Sequence, residues 1–149
     1  MDTTLFPVKK MSDFTLRHTS WDQDAALLKT VREEVFIKEQ QVPIELEWDD
    51  EDKSCLHLLA IDHAEQPIGC ARLLDSGQIG RMAVLPSWRG NGVGSALLAE
   101  LIQTAQAERY PPLFLHAQVH VVAFYQKHGF QCIGEQFMEA GIPHITMQQ

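Results

Sequence analysis

The segment from Ile79 to Ser95, IGRMAVLPSWRGNGVGS, constrains the fold more than any other stretch of the chain. An apolar run of strand character ends at Pro86, a tight turn carries Gly90, Gly92 and Gly94, and an amphipathic helix follows. Three alternating glycines cost more chain entropy than a plain turn requires, although a purely structural turn is the competing reading. Lacking Cβ atoms, these residues let their backbone N–H groups converge on one bulky anion at the positive end of the helix. The pattern predicts a phosphate cradle. It is not a dinucleotide fingerprint, because Ser95 stands where G-x-G-x-x-G needs its last glycine, and it is not a P-loop, because the lysine is absent.

The rest of the chain alternates in period. Residues 14–19 read as a first strand, Ser20 or Asp22 can cap the helix that follows, and Ala25, Leu28, Val31, Arg32, Val35 and Phe36 give that helix one buried face to about Lys38. Between Glu39 and Lys53 the chain is acidic and interrupted by Pro43, which predicts a surface loop or short helix. Strands are expected over 54–62, 67–74 and 78–85, the last feeding the glycine turn. The next helix carries Val93, Leu97, Leu98, Leu101, Ile102 and Ala105 on one face and stops at Tyr110. A strand at 113–117, a short helix at 121–128 closed by Gly129 as a left-handed residue, and strands at 131–137 and 142–147 complete the pattern. The order β-α-β-β-β-α-β-α-β-β predicts an α/β fold with a mixed sheet and helices on both faces. The 149 residues fit one domain, with residues 1–12 as a loose lead-in.

Composition narrows the partners. The net charge of −8 and the scattered lysines and arginines argue against nucleic acid. Cys55, Cys70 and Cys132 are odd in number, lack C-x-x-C spacing and sit in apolar runs, which predicts buried, reduced thiols. The N-terminus has no signal-like apolar core, and no run approaches the roughly 18 apolar residues of a spanning helix. A cytoplasmic protein without a membrane partner is expected. The histidines show no H-E-x-x-H pairing and the acidic loop lacks a calcium-loop glycine, so no metal is expected.

Two stretches together resemble the GCN5-related N-acetyltransferase (GNAT) family. Arg89-Gly-Asn-Gly-Val-Gly94 matches its [QR]-x-x-G-x-[GA] pattern. Tyr125, Gly129 and Phe130 match its A-x-x-x-Y-x-x-x-G-F pattern, with Val121 at the usual alanine and Gln118 at the usual asparagine. Residues 31–43 and 141–147 are similar to the ElaA and YjcF type branch, and the resemblance spans about residues 14–147. It implies acetyl-CoA as co-substrate, with its pyrophosphate on the backbone of Arg89, Gly90, Asn91, Gly92, Val93 and Gly94, and the Ser95 hydroxyl beside them. The pantetheine arm would pair with Met82, Ala83 and Val84 where this strand splays from the next, and Gln118 joins the donor-binding set.

Direct acetyl transfer needs a neutral amine, donors for the oxyanion and a proton for the departing thiolate. The resemblance makes Tyr125 the acid, and a phenol is protonated at neutral pH. Backbone N–H groups near Met82 are the candidate oxyanion donors. The base is open among Glu39, Glu47, His57, His116 and His144, with His116 and His144 the leading candidates. Phe36, Glu39 and Gln40 are candidates for the acceptor side, where acidic residues would attract an amine. The expected acceptor is a small-molecule or peptide amine, and a homodimer could pair through the two C-terminal strands. A non-catalytic acyl-CoA-binding module is the alternative from another class, with a nucleotide-binding domain further behind.

Overall fold

The computed structural model describes residues 13–149, so the expected lead-in over 1–12 lies outside the described residues. β1 (Phe14–Thr19) runs into α1 (Trp21–Arg32), which continues as a wide π-helical segment, Glu33–Glu39. The Ser20 side chain accepts the backbone N–H of Gln23 at 3.3 Å and is the N-cap. Ser20→Ala should lower stability by about 1 kcal/mol in urea unfolding, and an unchanged midpoint would show that the cap contributes nothing.

After α2 (Ile44–Glu47) and a 3-10 turn at Asp50–Lys53 come β2 (Leu56–Asp62), β3 (Pro67–Leu73) and β4 (Gln78–Val84). α3 (Val93–Ala107), β5 (Phe114–Gln118), α4 (Val122–Gln126), β6 (Gln131–Glu139) and β7 (Ile142–Gln148) follow. The expected order is therefore the observed one. The strands form one seven-stranded sheet in the order β1-β2-β3-β4-β5-β7-β6. Every pair is antiparallel except β4 with β5, which are parallel because α3 carries the chain back across the sheet.

Side-chain alternation along β2 divides the core. Leu58 and Ala60 pack on one face with Val93, Leu97, Leu98 and Leu101 of α3, while Leu59 and Ile61 pack on the other with Leu28 and Val31 of α1. The thiols depart from expectation: Cys70 is buried, Cys55 half-buried and Cys132 exposed. Cys132 lies on β6, an edge of the sheet whose residues 131–136 are all exposed, so its apolar neighbours do not bury it.

Two irregularities of β4 shape the site. Along β3 the pairing advances two residues, from Cys70 to Arg72, while along β4 it moves three, between Ala83 and Gly80. The extra residue is a bulge, and within it Arg81 has φ +50, an uncommon value for a residue with a side chain. On the other side, β4 meets β5 only at Gln78 with Phe114 and Ile79 with Leu115. Beyond Ile79 the two strands part, which leaves a sheet edge facing a cleft.

Candidate active site

The cleft opens into a cavity of about 950 Å³ bounded by β4, the glycine turn, α4, the π-helical segment and the β6–β7 turn. Met82, Ala83 and Val84 line it along the unpaired part of β4.

At one end lies the glycine turn. Gly90 and Gly92 have φ +82 and +84, and a Cβ built on either would meet nothing within 4 Å, so backbone conformation, not crowding, demands glycine there. Gly92 is the N-cap of α3 and places that helix's first N–H groups beside the cavity. Gly94 differs from expectation. It lies inside α3, and a Cβ there would stand 3.4 Å from the Phe124 ring, an ordinary van der Waals contact, so neither crowding nor a positive φ demands glycine there. Asn91 Nδ2 turns back to the carbonyls of Trp88 and Arg89 and steadies the turn. Val93 is buried under the turn, and Ser95 Oγ lies 3.3 Å from His128 Nε2.

Two acceptor-side candidates bridge the cleft. Glu39 grips the Arg89 guanidinium with both oxygens, at 2.6 and 2.8 Å, while Arg89 Nε donates to the Val84 carbonyl at 3.0 Å. Glu39 is therefore tied to the glycine turn. The next residue, Gln40, exchanges two amide hydrogen bonds with Gln118 at the end of β5, at 2.9 and 3.2 Å. Phe36 lines the same cavity.

Tyr125 lines the same cavity. Its hydroxyl donates to Met82 Sδ at 3.7 Å, and its ring packs edge-on against Phe124 and Phe130. Burial pushes its pKa up to about 12, so the phenol keeps its proton.

Beyond Tyr125 the wall carries His116, Glu139 and His144. His116 Nδ1 is 3.1 Å from one Glu139 oxygen, and His144 Nε2 is 4.0 Å from the other. His144 Nδ1 lies 2.7 Å from the Ile142 carbonyl, which can only accept, so that nitrogen carries the proton and Nε2 has the lone pair in the neutral ring. The Phe137 ring sits between, stacked on His144 and edge-on to His116. Glu139 was not among the sequence candidates; it reaches the histidines only because the β6–β7 turn folds it back over β7. His57 is a different case. It is buried outside the cavity against Trp21, its Nε2 donates to the Asp52 carbonyl, and burial pushes its pKa down, so it is no candidate base for an acceptor in the cavity.

The acidic segment is the expected surface loop and short helix for Glu45, Asp49, Asp50 and Glu51, which are exposed, but Glu47 and Asp52 are buried. Arg32, 1% exposed, donates from Nε to Glu47 at 2.8 Å and from its terminal nitrogens to Asp52 at 2.8 and 3.1 Å. Arg72 bonds Asp49 and Asp52, both at 2.8 Å, and Arg81 bonds the Glu47 carbonyl at 2.9 Å and lies 3.1 Å from its carboxylate. Trp21 and Trp48 cover Arg32 with their rings. Arginines on α1, β3 and β4 thus draw Glu47 and Asp52 inward, because a buried guanidinium requires paired charge. Asp52 Oδ, Cys55 Sγ and His57 Nε2 converge within 4.8 Å, but Asp52 already serves two arginines and His57 Nε2 donates to a carbonyl.

The hydrogen bonds from Arg72 hold the Asp49 carboxyl down at about 2, against its partial burial. A depressed carboxylate stabilises the fold fully above its unfolded pKa, about 3.9, and loses that contribution as pH falls toward 2. Asp49→Asn should therefore flatten the fall in stability between about pH 4 and 2, measured by urea unfolding at each pH; a slope like that of the parent would remove Asp49 from the acid response.

The acetyltransferase (GNAT) domain profile matches residues 19–149. The chain is 40% identical over 123 residues to the uncharacterized N-acetyltransferase YjcF of Bacillus subtilis, covering 80% of this chain and 87% of that one. It is 36% identical over 122 residues to the protein ElaA of Escherichia coli, covering 76% and 78%. Among solved structures, an acyl-CoA N-acyltransferase from Pseudomonas aeruginosa superposes with TM-score 0.82 at 31% identity, over 91% of this chain and 99% of the other. E. coli ElaA superposes with TM-score 0.81 at 28% identity, over 91% and 99%. A parted β4–β5 pair, a glycine turn opening α3 and a domain match over nearly the whole chain lead to one assignment: the chain belongs to the GNAT acetyltransferase family, in its ElaA/YjcF-like branch.

Proposed function

We propose that this chain transfers the acetyl group of acetyl-CoA directly to a primary amine, with Tyr125 protonating the departing thiolate. One observation carries the reading: the glycine turn, the unpaired edge of β4 and the Tyr125 hydroxyl line one continuous cavity. The donor half fits the co-substrate. Backbone amides from Gly90 to Gly94 at the start of α3 would hold its pyrophosphate, and the free edge from Met82 to Val84 would hold its amide-bearing arm. Acetyl-CoA supplies the activated acyl group; the protein aligns it and manages protons.

His116 is the proposed base. Its Nδ1 faces the Glu139 carboxylate, so that nitrogen carries the proton and leaves the Nε2 lone pair for the ammonium of the acceptor. His116→Ala should lose the alkaline-rising limb of kcat/KM and at least about tenfold in rate at pH 7. An unchanged limb would pass the role to His144, tested by the same substitution.

Titration calorimetry with acetyl-CoA, together with a thiol-release assay over an amine panel, tests the whole reading. Binding and turnover are expected. Binding without turnover on any amine would instead assign an acyl-CoA-binding module, and no binding would remove the donor site.

A further inference from the structure

On the acetyl-transfer reading above, we infer that Glu39 and Gln40 are positioning residues for the donor: side by side on one segment, they fasten both lips of the gap between β4 and β5 into which the arm of acetyl-CoA would enter. Neither is then an acceptor-binding residue.

The gap needs a tie outside the sheet. β4 and β5 pair only at Gln78 with Phe114 and Ile79 with Leu115, so past Ile79 the ladder no longer sets their separation. On the β4 side the tie runs through Arg89. Val84 lies opposite Gly69, and the next residue, Leu85, donates its N–H to the Ile68 carbonyl at 2.9 Å. Bonding groups alternate in direction along a strand, so the Val84 carbonyl points away from β3 and into the gap. Arg89 Nε donates to that carbonyl at 3.0 Å, and the two Glu39 oxygens hold the terminal nitrogens of the same guanidinium at 2.6 and 2.8 Å. On the β5 side, Gln40 and Gln118, the last residue of that strand, exchange amide hydrogen bonds at 2.9 and 3.2 Å. Two successive residues thus reach 50 and 78 positions along the chain, to opposite lips of one gap.

Their own segment is anchored. Val35, 3% exposed, packs with Leu28, Val31 and Ala83, while the N–H groups of Gln40 and Val42 bond the Val35 and Phe36 carbonyls. Wide π turns recur at functional sites, and this one, Glu33–Glu39, ends at the two bridging residues. Fold stability does not account for the outer tie. Glu39 and Arg89 are 39% and 44% exposed, and an ion pair between such groups contributes little. What it supplies is order: a guanidinium held through all three nitrogens keeps one orientation, which fixes the start of the glycine turn to β4 before a ligand arrives. The same hydrogen bonds hold the Glu39 carboxyl below its ordinary range and occupy the oxygens that an acceptor ammonium would need.

The test is titration calorimetry of acetyl-CoA on the intact protein, with two substitutions that nearly keep side-chain size. Glu39→Gln removes the charge from the grip on Arg89, and Gln40→Met removes both amide bonds to Gln118. Each should weaken acetyl-CoA binding by about fivefold or more with the urea midpoint unmoved, because a gap that must be set during binding costs affinity. A loss below about threefold in either variant overturns the inference. Tighter binding by Glu39→Gln overturns it too, since Glu39 would then compete with the co-substrate for Arg89. For any amine that the parent turns over, the amine KM should stay within about twofold in both variants. A raised amine KM with donor affinity kept returns Glu39 and Gln40 to the acceptor side. Should one variant fail to fold, the other still decides. A parent that does not bind acetyl-CoA breaks the underlying reading, whereas a parent that binds it no better than the variants breaks only this one.

Discussion

Tyr125→Phe is expected to lower kcat by about 100-fold or more while acetyl-CoA affinity stays within about twofold, because only the hydroxyl is removed from the cavity wall. The ring would keep its contacts with Phe124 and Phe130, so the change isolates proton donation from packing. The raised pKa sharpens the expectation. A solvated thiolate, whose thiol has a pKa near 8.5, is a weaker base than a phenolate whose phenol has a pKa of about 12, so full proton transfer would be uphill if the thiolate stayed solvated. The burial that raises the phenol, however, also destabilises a thiolate formed beside it and raises that sulfur's basicity. The two groups then come closer in proton affinity, and the hydroxyl stabilises charge as it develops. With a pKa near 12, Tyr125 should give no falling limb in the pH-rate profile below about pH 10. Turnover retained in Tyr125→Phe would end the acid assignment and leave the thiolate to depart unprotonated.

Arg32→Met should destabilise the protein by about 3–5 kcal/mol, read from urea unfolding at pH 7. Methionine matches the aliphatic stem and can fill the space under Trp21 and Trp48, so little of the loss comes from a cavity. The cost arises because Glu47 and Asp52, 3% and 1% exposed, lose their central hydrogen-bonded partner. Arg72 and Arg81 still face the same carboxylates, which places the expectation toward the lower end of that range. A loss below about 1 kcal/mol would mean that those two arginines carry the network alone.

The contrast between these two residues shows what was legible in one dimension. Tyr125 stands in a short pattern with Gly129 and Phe130, all within one turn-and-helix unit, so the family resemblance that this pattern carries pointed to it. Arg32 was visible only as a charged residue on an apolar helical stripe, and its partners lie 15 and 20 positions away across Pro43. No local pattern links such distant charges. The acidic run therefore read as a surface segment, and two of its members, Glu47 and Asp52, proved to be buried counter-charges of three arginines. Glu139 escaped for the same reason: its meeting with His116 spans 23 positions and depends on the turn between β6 and β7. Glu39 was drawn to the acceptor side by its neighbours in sequence, whereas a contact 50 positions away holds it on Arg89.

The sequence by itself determined the order of helices and strands, the glycine turn and the tyrosine after it, because periodicity, turn chemistry and helix stops act over a few residues. Tertiary structure decided the parting of β4 from β5, the bulge that lifts Arg81, the pairing of Glu39 with Arg89, and the gathering of His116, Glu139 and His144. Each of these depends on sheet register and on charges paired across long loops, and those energies exist only once the sheet has closed over its two helices. The glycine turn and Tyr125 were therefore written locally, and the wall of His116, Glu139 and His144 was made by the fold.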